Sequence, residues 1–159
     1  DIKIGNPVKM ISKLSLDEGV ARKFSANSVM IIGIGATLGK SCFVDHPASC
    51  NQQITVLKIP SSKANAKFIA YQMKAIERYL SGIAPNTTLP QMNNTDIRII
   101  FNTLPSLIEQ NEIVEYIDLK CSIINNLIIV VSELKEKIQE YRTALISAVV
   151  TGKIDVRSL

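Results

Sequence analysis

The sequence of 159 residues contains one histidine, three cysteines and no apolar run long enough to cross a bilayer. A helix that spans a membrane needs about 20 consecutive apolar residues, whereas the richest run here, residues 127–131, is far shorter. The first residues also lack the basic-then-apolar pattern of a secretory signal. These absences favour a cytoplasmic protein that does not associate with a membrane.

Few side chains are suited to catalysis or metal binding. His46 is the single histidine, so a Ser-His-Asp or Cys-His site would have to use it, and no neighbouring residue visibly orients it. Cys42, His46 and Cys50 are spaced four apart, which is not a common zinc spacing, and only Asp45 could supply a fourth ligand nearby. An odd number of cysteines without a C-x-x-C pair favours free thiols. We therefore predict no enzymatic activity, no metal site and no cofactor.

The net charge of +4 is distributed unevenly along the chain. Residues 1–108 hold twelve Lys and Arg against six Asp and Glu, a balance of +6, whereas residues 109–159 hold six against eight, a balance of −2. This asymmetry is compatible with a nucleic-acid-binding globule attached to a segment with another role. The apolar fraction of 47% is high for a soluble monomer of this size, which indicates that a partner covers part of the surface.

Residues 1–105 are predicted to form a domain of mixed α and β structure. Short β-type runs occupy residues 29–35, 41–44 and 53–59, and glycine and proline residues separate them. This alternation of short apolar runs and turn residues is typical of a small sheet.

The pattern then changes from strand to helix spacing. Between residues 65 and 81 the apolar side chains recur at intervals of three and four, which predicts an amphipathic helix with Gly82 as its C-terminal stop. A polar loop follows at residues 83–91. Residues 97–101 are predicted to form a final short strand.

One long helix is predicted for the rest of the chain. Ser106 and Glu109 form an S-x-x-E capping box, and no proline or glycine follows until Gly152. A helix of about 45 residues, predicted over residues 106–151, would be about 67 Å long at 1.5 Å per residue. Residues 152–159 would then form a short C-terminal tail.

The long helix carries a heptad repeat that continues over five heptads. Nine of its ten a and d positions are uncharged and most are large, which is typical of a coiled coil. The apolar surface widens beyond this seam in the middle of the helix and near its end, so we expect a helical mate and a further protein surface to cover it. The residues predicted to form the helical interface are Ile117, Ile124, Leu127, Ile128, Val131, Leu134, Ile138, Tyr141 and Leu145.

The stretch GIGATLGKS at residues 33–41 is similar to the beginning of a nucleotide-binding P-loop. That motif requires G-x-x-x-x-G-K-[ST] followed by a helix, because successive backbone amides must wrap the phosphate. With Gly39 and Lys40 at its end, the first glycine would have to be residue 34, which is an isoleucine, and residues 42–44 have the pattern of a strand. A small P-loop-like NTPase is therefore the weaker alternative, and a tight turn between two strands is predicted.

Three stretches resemble the specificity (S) subunit of type I restriction–modification systems. The segment VMIIGIGATLGKSCFVDHPASCNQQITVLKIP, residues 29–60, is similar to that family's strand, G-A-T-x-G-K loop and Cys-Asn-Gln segment. Residues 86–118, NTTLPQMNNTDIRIIFNTLPSLIEQNEIVEYID, resemble its Thr-x-x-Pro segment and the Glu-Gln that opens its long helix. Residues 140–157, EYRTALISAVVTGKIDVR, are similar to the end of its C-terminal region. Residues 101–107 depart from the family's Pro-Leu-Pro-Pro-Leu turn.

The resemblance implies an α+β fold, in which a mixed α/β target-recognition domain is followed by one long helix that pairs as an antiparallel coiled coil. It implies a subunit that is not an enzyme and that binds double-stranded DNA at a bipartite site. The implied protein partners are the methyltransferase subunit, the restriction subunit through the assembled complex, and a second specificity half or second copy through the coiled coil. Compared with the family's recognition domain, this one is short at its front, and residues 1–28 enter it partway through, so we expect a fragment or a half-length subunit. The alternative is an assembly module that no longer reads DNA.

DNA contacts are expected from two kinds of side chain. Lys and Arg position a protein on the phosphates, whereas Asn, Gln and similar side chains discriminate between base edges. Asn and Thr in loops also serve simply to form turns, and Lys9, Lys13, Arg22 and Lys23 are equally compatible with solvated surface charge. The residues predicted to contact DNA are Lys40, Asn51, Gln52, Gln53, Asn86, Thr87, Thr88 and Gln91.

Overall fold

A computed structural model describes residues 2–4, 10–83, 92, 94–98, 100 and 103–157. Its elements are α1 (Lys13–Asp17), β1 (Lys23–Phe24), β2 (Ser28–Ile32), β3 (Ser41–Val44), β4 (Ala48–Ser49), β5 (Ile54–Lys58), α2 (Ala66–Ala75), α3 (Glu77–Ile83), α4 (Asn94–Arg98) and α5 (Leu107–Val150). The chain divides into two compact units, Asp1–Val114 and Glu115–Leu159. A small sheet domain followed by one long helix confirms the predicted α+β class.

A three-stranded antiparallel sheet with the order β3-β2-β5 lies at the centre of the first unit. Its central strand β2 is an uninterrupted apolar run after Ser28, as expected for a strand that is covered on both faces. Val29 and Ile31 are fully buried on one face, and Met30 is buried on the other. The predicted strands agree with β2, β3 and β5 to within a few residues.

Helix α2 covers one face of this sheet. Its N-cap is Asn65, whose side-chain oxygen accepts hydrogen bonds from the backbone N–H groups of Lys67 and Phe68 at 2.8 and 3.2 Å. Phe68 and Met73 belong to the same buried core as the strand residues beneath them. The predicted helix is confirmed, although it is interrupted at residue 76, between α2 and α3. Gly82 lies within α3, so the prediction that it stops the helix is wrong.

A smaller apolar cluster covers part of the other face. The short strands β1 and β4 pair in an antiparallel two-stranded sheet, and Phe24 on β1 packs in one cluster with Met30 and Val44. Ile54 and Val56 on β5 pack against this cluster but remain partly exposed. The second face of the sheet is therefore only partly covered within the described residues.

The predicted strand at residues 97–101 is wrong. Asn94–Arg98 form the short helix α4, and Ile97 is buried in the main core. Strand and helix have the same local pattern here, because a short apolar run has no period that separates the two. Asp96 in the first turn is favourable near a helix N-terminus and supports the helical form.

The first turns of α5 are held in the first unit by a buried amide. The Gln110 side chain is fully buried, its Oε1 accepts a hydrogen bond from the Asn65 N–H at 2.8 Å, and its Nε2 donates to the Pro105 carbonyl at 2.8 Å. The Ser106 hydroxyl accepts from the Glu109 N–H at 3.3 Å, as expected of the predicted N-cap. Gln110 thus connects the cap of α2 to the start of the long helix.

The second unit consists of the remainder of α5 and a short tail. The helix ends at Val150, and Gly152 follows it with a φ of 75°, the left-handed conformation that commonly terminates helices. The N–H groups of Lys153 and Ile154 both donate to the Ala148 carbonyl and so satisfy the end of the helix. Across the described residues, no helix has the length and apolar character needed to cross a membrane.

Candidate nucleic-acid interface

The glycine-rich segment forms a tight turn between β2 and β3. The Gly39 N–H donates to the Ile32 carbonyl, the Ile32 N–H donates to the Lys40 carbonyl, and both bonds are 2.9 Å long. Gly35 and Gly39 have φ values of 93° and 85°, which glycine adopts without steric cost. Ser41 then begins a strand, so the turn has no following helix to complete a P-loop phosphate site. The turn instead presents Lys40 to solvent.

The residues Asn51, Gln52 and Gln53 lie at the same end of the sheet, on the other side of β2. The Gly33 N–H donates to the Gln53 carbonyl at 2.8 Å, which places this turn beside the end of β2. The Asn51 side-chain oxygen accepts a hydrogen bond from the Gln53 N–H at 3.2 Å and so stabilises the turn before β5. All three side chains are exposed. The structure therefore brings four of the predicted DNA contacts, Lys40 and residues 51–53, to this one end of the sheet, which we name the candidate edge.

A third segment reaches this edge through Met92. Its N–H donates to the Gly33 carbonyl at 2.8 Å. A Cβ atom at Gly33 would lie 3.2 Å from the Met92 carbonyl oxygen and 3.4 Å from that of Gln53, so glycine permits the close approach of both segments. The other predicted DNA contacts, Asn86, Thr87, Thr88 and Gln91, lie outside the described residues.

The possible metal ligands do not converge. The His46 ring forms a hydrogen bond of 2.9 Å with the Asp45 carboxylate, whereas Cys42 and Cys50 pack against the smaller apolar cluster. Burial raises the pKa of both thiols, so they stay protonated at neutral pH. In the part of the chain that the structure describes, no group of three or more His, Cys, Asp and Glu side chains could hold a metal ion.

The ionised Asp45 carboxylate makes a contribution to stability that is lost in acid. Hydrogen bonds from His46 and from the Lys3 ammonium, the latter at 3.0 Å, lower the pKa of Asp45 to about 2. Because the folded-state pKa lies below that of the unfolded chain, this contribution is complete above about pH 4 and is lost as the pH falls towards about 2. We expect Asp45→Asn to be less stable than the wild type at neutral pH but to approach it at pH 2. Thermal unfolding followed at several pH values measures this convergence, and a constant difference would contradict it.

A groove that the sequence did not indicate lies on the partly covered face of the sheet. Its volume is about 1420 Å³, and Met30, Ile54 and Val56 contribute to its apolar lining. Asn51 and Gln52 also line it, so the groove adjoins the edge described above. The short pairing of β1 with β4 builds this region, and strands of two residues leave no detectable period in a sequence.

The predicted helical interface is an exposed apolar surface on α5. Ile117 is half-buried. The exposed fractions of the other eight predicted residues lie between 41% and 68%; these residues are Ile124, Leu127, Ile128, Val131, Leu134, Ile138, Tyr141 and Leu145. Contiguous apolar surface of this kind marks sites of protein association.

Comparison with known proteins identifies the family. Residues 4–142 match the family model of the type I restriction modification DNA specificity domain. The specificity subunit of the type I restriction enzyme EcoBI from Escherichia coli is 25% identical over 128 residues, which are 79% of this chain and 26% of that subunit. The crystal structure of the type-I restriction-modification system S subunit from M. genitalium matches with a TM-score of 0.54 and 20% identity, over 65% of this chain and 28% of that one.

The chain spans about a quarter of the length of these two relatives. The structural match shows a shared fold, and the family model extends from the first strands well into α5. The match to the family model covers most of the sequence, and the chain therefore belongs to the type I restriction modification DNA specificity domain family.

Proposed function

We propose that this chain reads a DNA sequence as the specificity component of a type I restriction–modification complex. The observation that carries the proposal is the exposed edge at which Lys40, Asn51, Gln52 and Gln53 lie together. Membership of a family described as a DNA specificity domain supports it. In this proposal the chain supplies no catalytic group, and its partners carry out the modification and cleavage of DNA.

The four side chains suit different tasks at this edge. Among the described residues the Lys40 side chain has no ion-pair or hydrogen-bond partner, so its ammonium group is available for a phosphate oxygen. The Asn51 oxygen is engaged in its turn, which leaves its NH₂ group to donate to a base edge. Gln52 can both donate and accept, and an amide that contacts a base with two hydrogen bonds discriminates by about 1–3 kcal/mol.

The exposed stripe on α5 would pair with a second specificity half or a second copy of the chain. The charges beside the seam favour an antiparallel arrangement. In a parallel self-pair, Lys137 at position g would face Arg142 at position e of the mate, which brings like charges together. If the exposed parts of two α5 helices pair antiparallel about their middle, Lys137 faces Val130 and Arg142 faces Cys121 instead. Such a pair would hold two readers on the halves of a bipartite site and offer a docking surface for the methyltransferase subunit and, through the assembled complex, the restriction subunit.

A band-shift assay with the methyltransferase partner tests DNA reading. Lys40→Ala is expected to weaken binding to all sequences by roughly fivefold at 0.15 M salt, as for the removal of one phosphate contact. Asn51→Ala combined with Gln52→Ala should instead reduce the preference for the target over other sequences by about 1–3 kcal/mol. Lys63→Ala is a matched control, because Lys63 is exposed and lies in the turn after β5.

The assay also separates the proposal from its alternative. Wild-type binding that depends steeply on salt but shows no preference among sequences would favour an assembly module that does not read DNA. An unchanged preference in the Asn51 and Gln52 variant would contradict the role assigned to these two residues.

A further inference from the structure

The groove on the second face of the sheet has a positively charged lining. Arg22, Lys23 and Lys58 line it, and no Asp or Glu is found among the described residues that do so. All three cationic side chains are exposed. Within the described residues, none of the three side chains has an ion-pair or hydrogen-bond partner. Three cations around one concave surface attract an anionic partner.

Tertiary structure, not sequence proximity, brings these charges together. Lys23 lies on β1, which pairs with β4 at Ser49, two residues before Asn51. Lys58 ends β5, the strand that the turn of residues 51–53 begins. Lys58 therefore lies on the strand that follows the turn with the proposed base-reading amides, and Arg22 and Lys23 lie at β1, which pairs with the strand before that turn.

We infer that this groove holds a sugar–phosphate backbone of the target DNA, with Arg22, Lys23 and Lys58 as its phosphate contacts. The inference rests on the proposed function and extends it to a second surface. Phosphate contacts fix the register of a protein on a duplex, whereas amides at base edges read the sequence. A backbone held in the groove would place the neighbouring bases at Asn51 and Gln52, which line the same groove.

The apolar lining is compatible with this occupant. Met30, Ile54 and Val56 offer a surface on which the apolar edge of deoxyribose can pack, while the cations around them meet the phosphates. An RNA backbone would bring its 2′-hydroxyl groups against the same apolar surface, where they would be deprived of hydrogen bonds to water. The groove should therefore prefer DNA over RNA of the same sequence.

The test is the salt dependence of DNA binding by the full chain with its methyltransferase partner. The variant Arg22→Gln, Lys23→Gln, Lys58→Gln removes the three charges and keeps polar side chains at exposed positions. Removing one phosphate interaction should reduce the slope of log affinity against log salt by about 0.9, so the slope of the triple variant should be smaller by about 2.7. Its affinity should fall roughly a hundredfold at 0.15 M salt, equally for target and non-target sequences. Lys63→Gln is the matched control and should leave the slope unchanged.

The outcomes distinguish this inference from the proposed function. If the triple variant keeps the wild-type slope and affinity while the wild type still prefers its target, the groove does not hold the backbone and the proposed function stands. If the wild type itself shows no sequence preference, the proposed function is contradicted, whatever the triple variant does. Circular dichroism of each variant shows whether weaker binding reflects a failure to fold. An RNA duplex that binds as tightly as DNA would overturn the role given to the apolar lining.

Discussion

Replacing Gln110 by leucine is expected to lower the free energy of unfolding by about 2–4 kcal/mol. The variant keeps roughly the volume of the side chain but removes its hydrogen bonds to the Asn65 N–H and the Pro105 carbonyl. A buried backbone group left without a partner costs about 1–3 kcal/mol. Two such groups are affected here, both at the junction of α2 with α5, and both are only part-buried. The expected loss therefore lies in the lower part of the range of about 2–6 kcal/mol that two fully buried groups would give.

Calorimetric or urea-induced unfolding of the full chain measures this effect. Asn111→Ala is the matched control, because Asn111 is exposed and accepts one hydrogen bond of 2.8 Å from the Asn65 side chain. We expect this control to cost about 1 kcal/mol or less, the net value of a solvent-accessible hydrogen bond. A Gln110→Leu variant as stable as Asn111→Ala would show that the buried amide does not hold the start of the helix.

Gln110 also shows how far periodicity predicts a structure. Counted back from Ile117, residue 110 is a heptad a position, so the repeat alone places it on the helical seam. Instead its side chain is buried in the first unit, where it reaches the cap of α2. A hydrophobic period predicts which face of a helix is covered, but the partner that covers it depends on tertiary structure. The length of α5 was predictable because the absence of proline and glycine acts locally on the helix itself.

The candidate DNA-binding edge was predictable in part for a similar reason. The turn at Lys40 and the turn at residues 51–53 are local features with clear glycine and Asn-Gln signals. Their placement on either side of β2 follows from the antiparallel pairing of three neighbouring strands. By contrast, Arg22 and Lys23 gave no sign of lining a groove, since the pairing of β1 with β4 spans more than twenty residues and involves only two residues on each strand. Short non-local pairings of this kind depend on the packed core around them and not on local sequence.

The largest effect on assembly is expected from charges placed on the seam of α5. Ile124 and Val131 are successive a positions, 54% and 63% exposed within one chain. Burial of each side chain in a helical pair contributes about 1.5–3 kcal/mol, and a symmetric pair contains each of them twice. The double variant Ile124→Glu, Val131→Glu should therefore weaken self-association by about 6 kcal/mol or more, roughly 10⁴-fold in the dissociation constant. Sedimentation equilibrium of wild type and variant measures the difference.

The adjacent b positions provide a control with the same added charge. Asn125 and Ser132 directly follow the two seam residues, and b positions point away from a helical mate. Asn125→Glu with Ser132→Glu should thus leave association unchanged within about tenfold, because the added charges stay in water. Equal weakening by both double variants would mean that charge on the helix matters and the seam does not. A wild-type chain that sediments as a monomer would contradict self-pairing, and the exposed stripe would then require a different mate. If that mate is the proposed methyltransferase subunit, the seam variant should abolish binding to it while the b-position variant preserves binding.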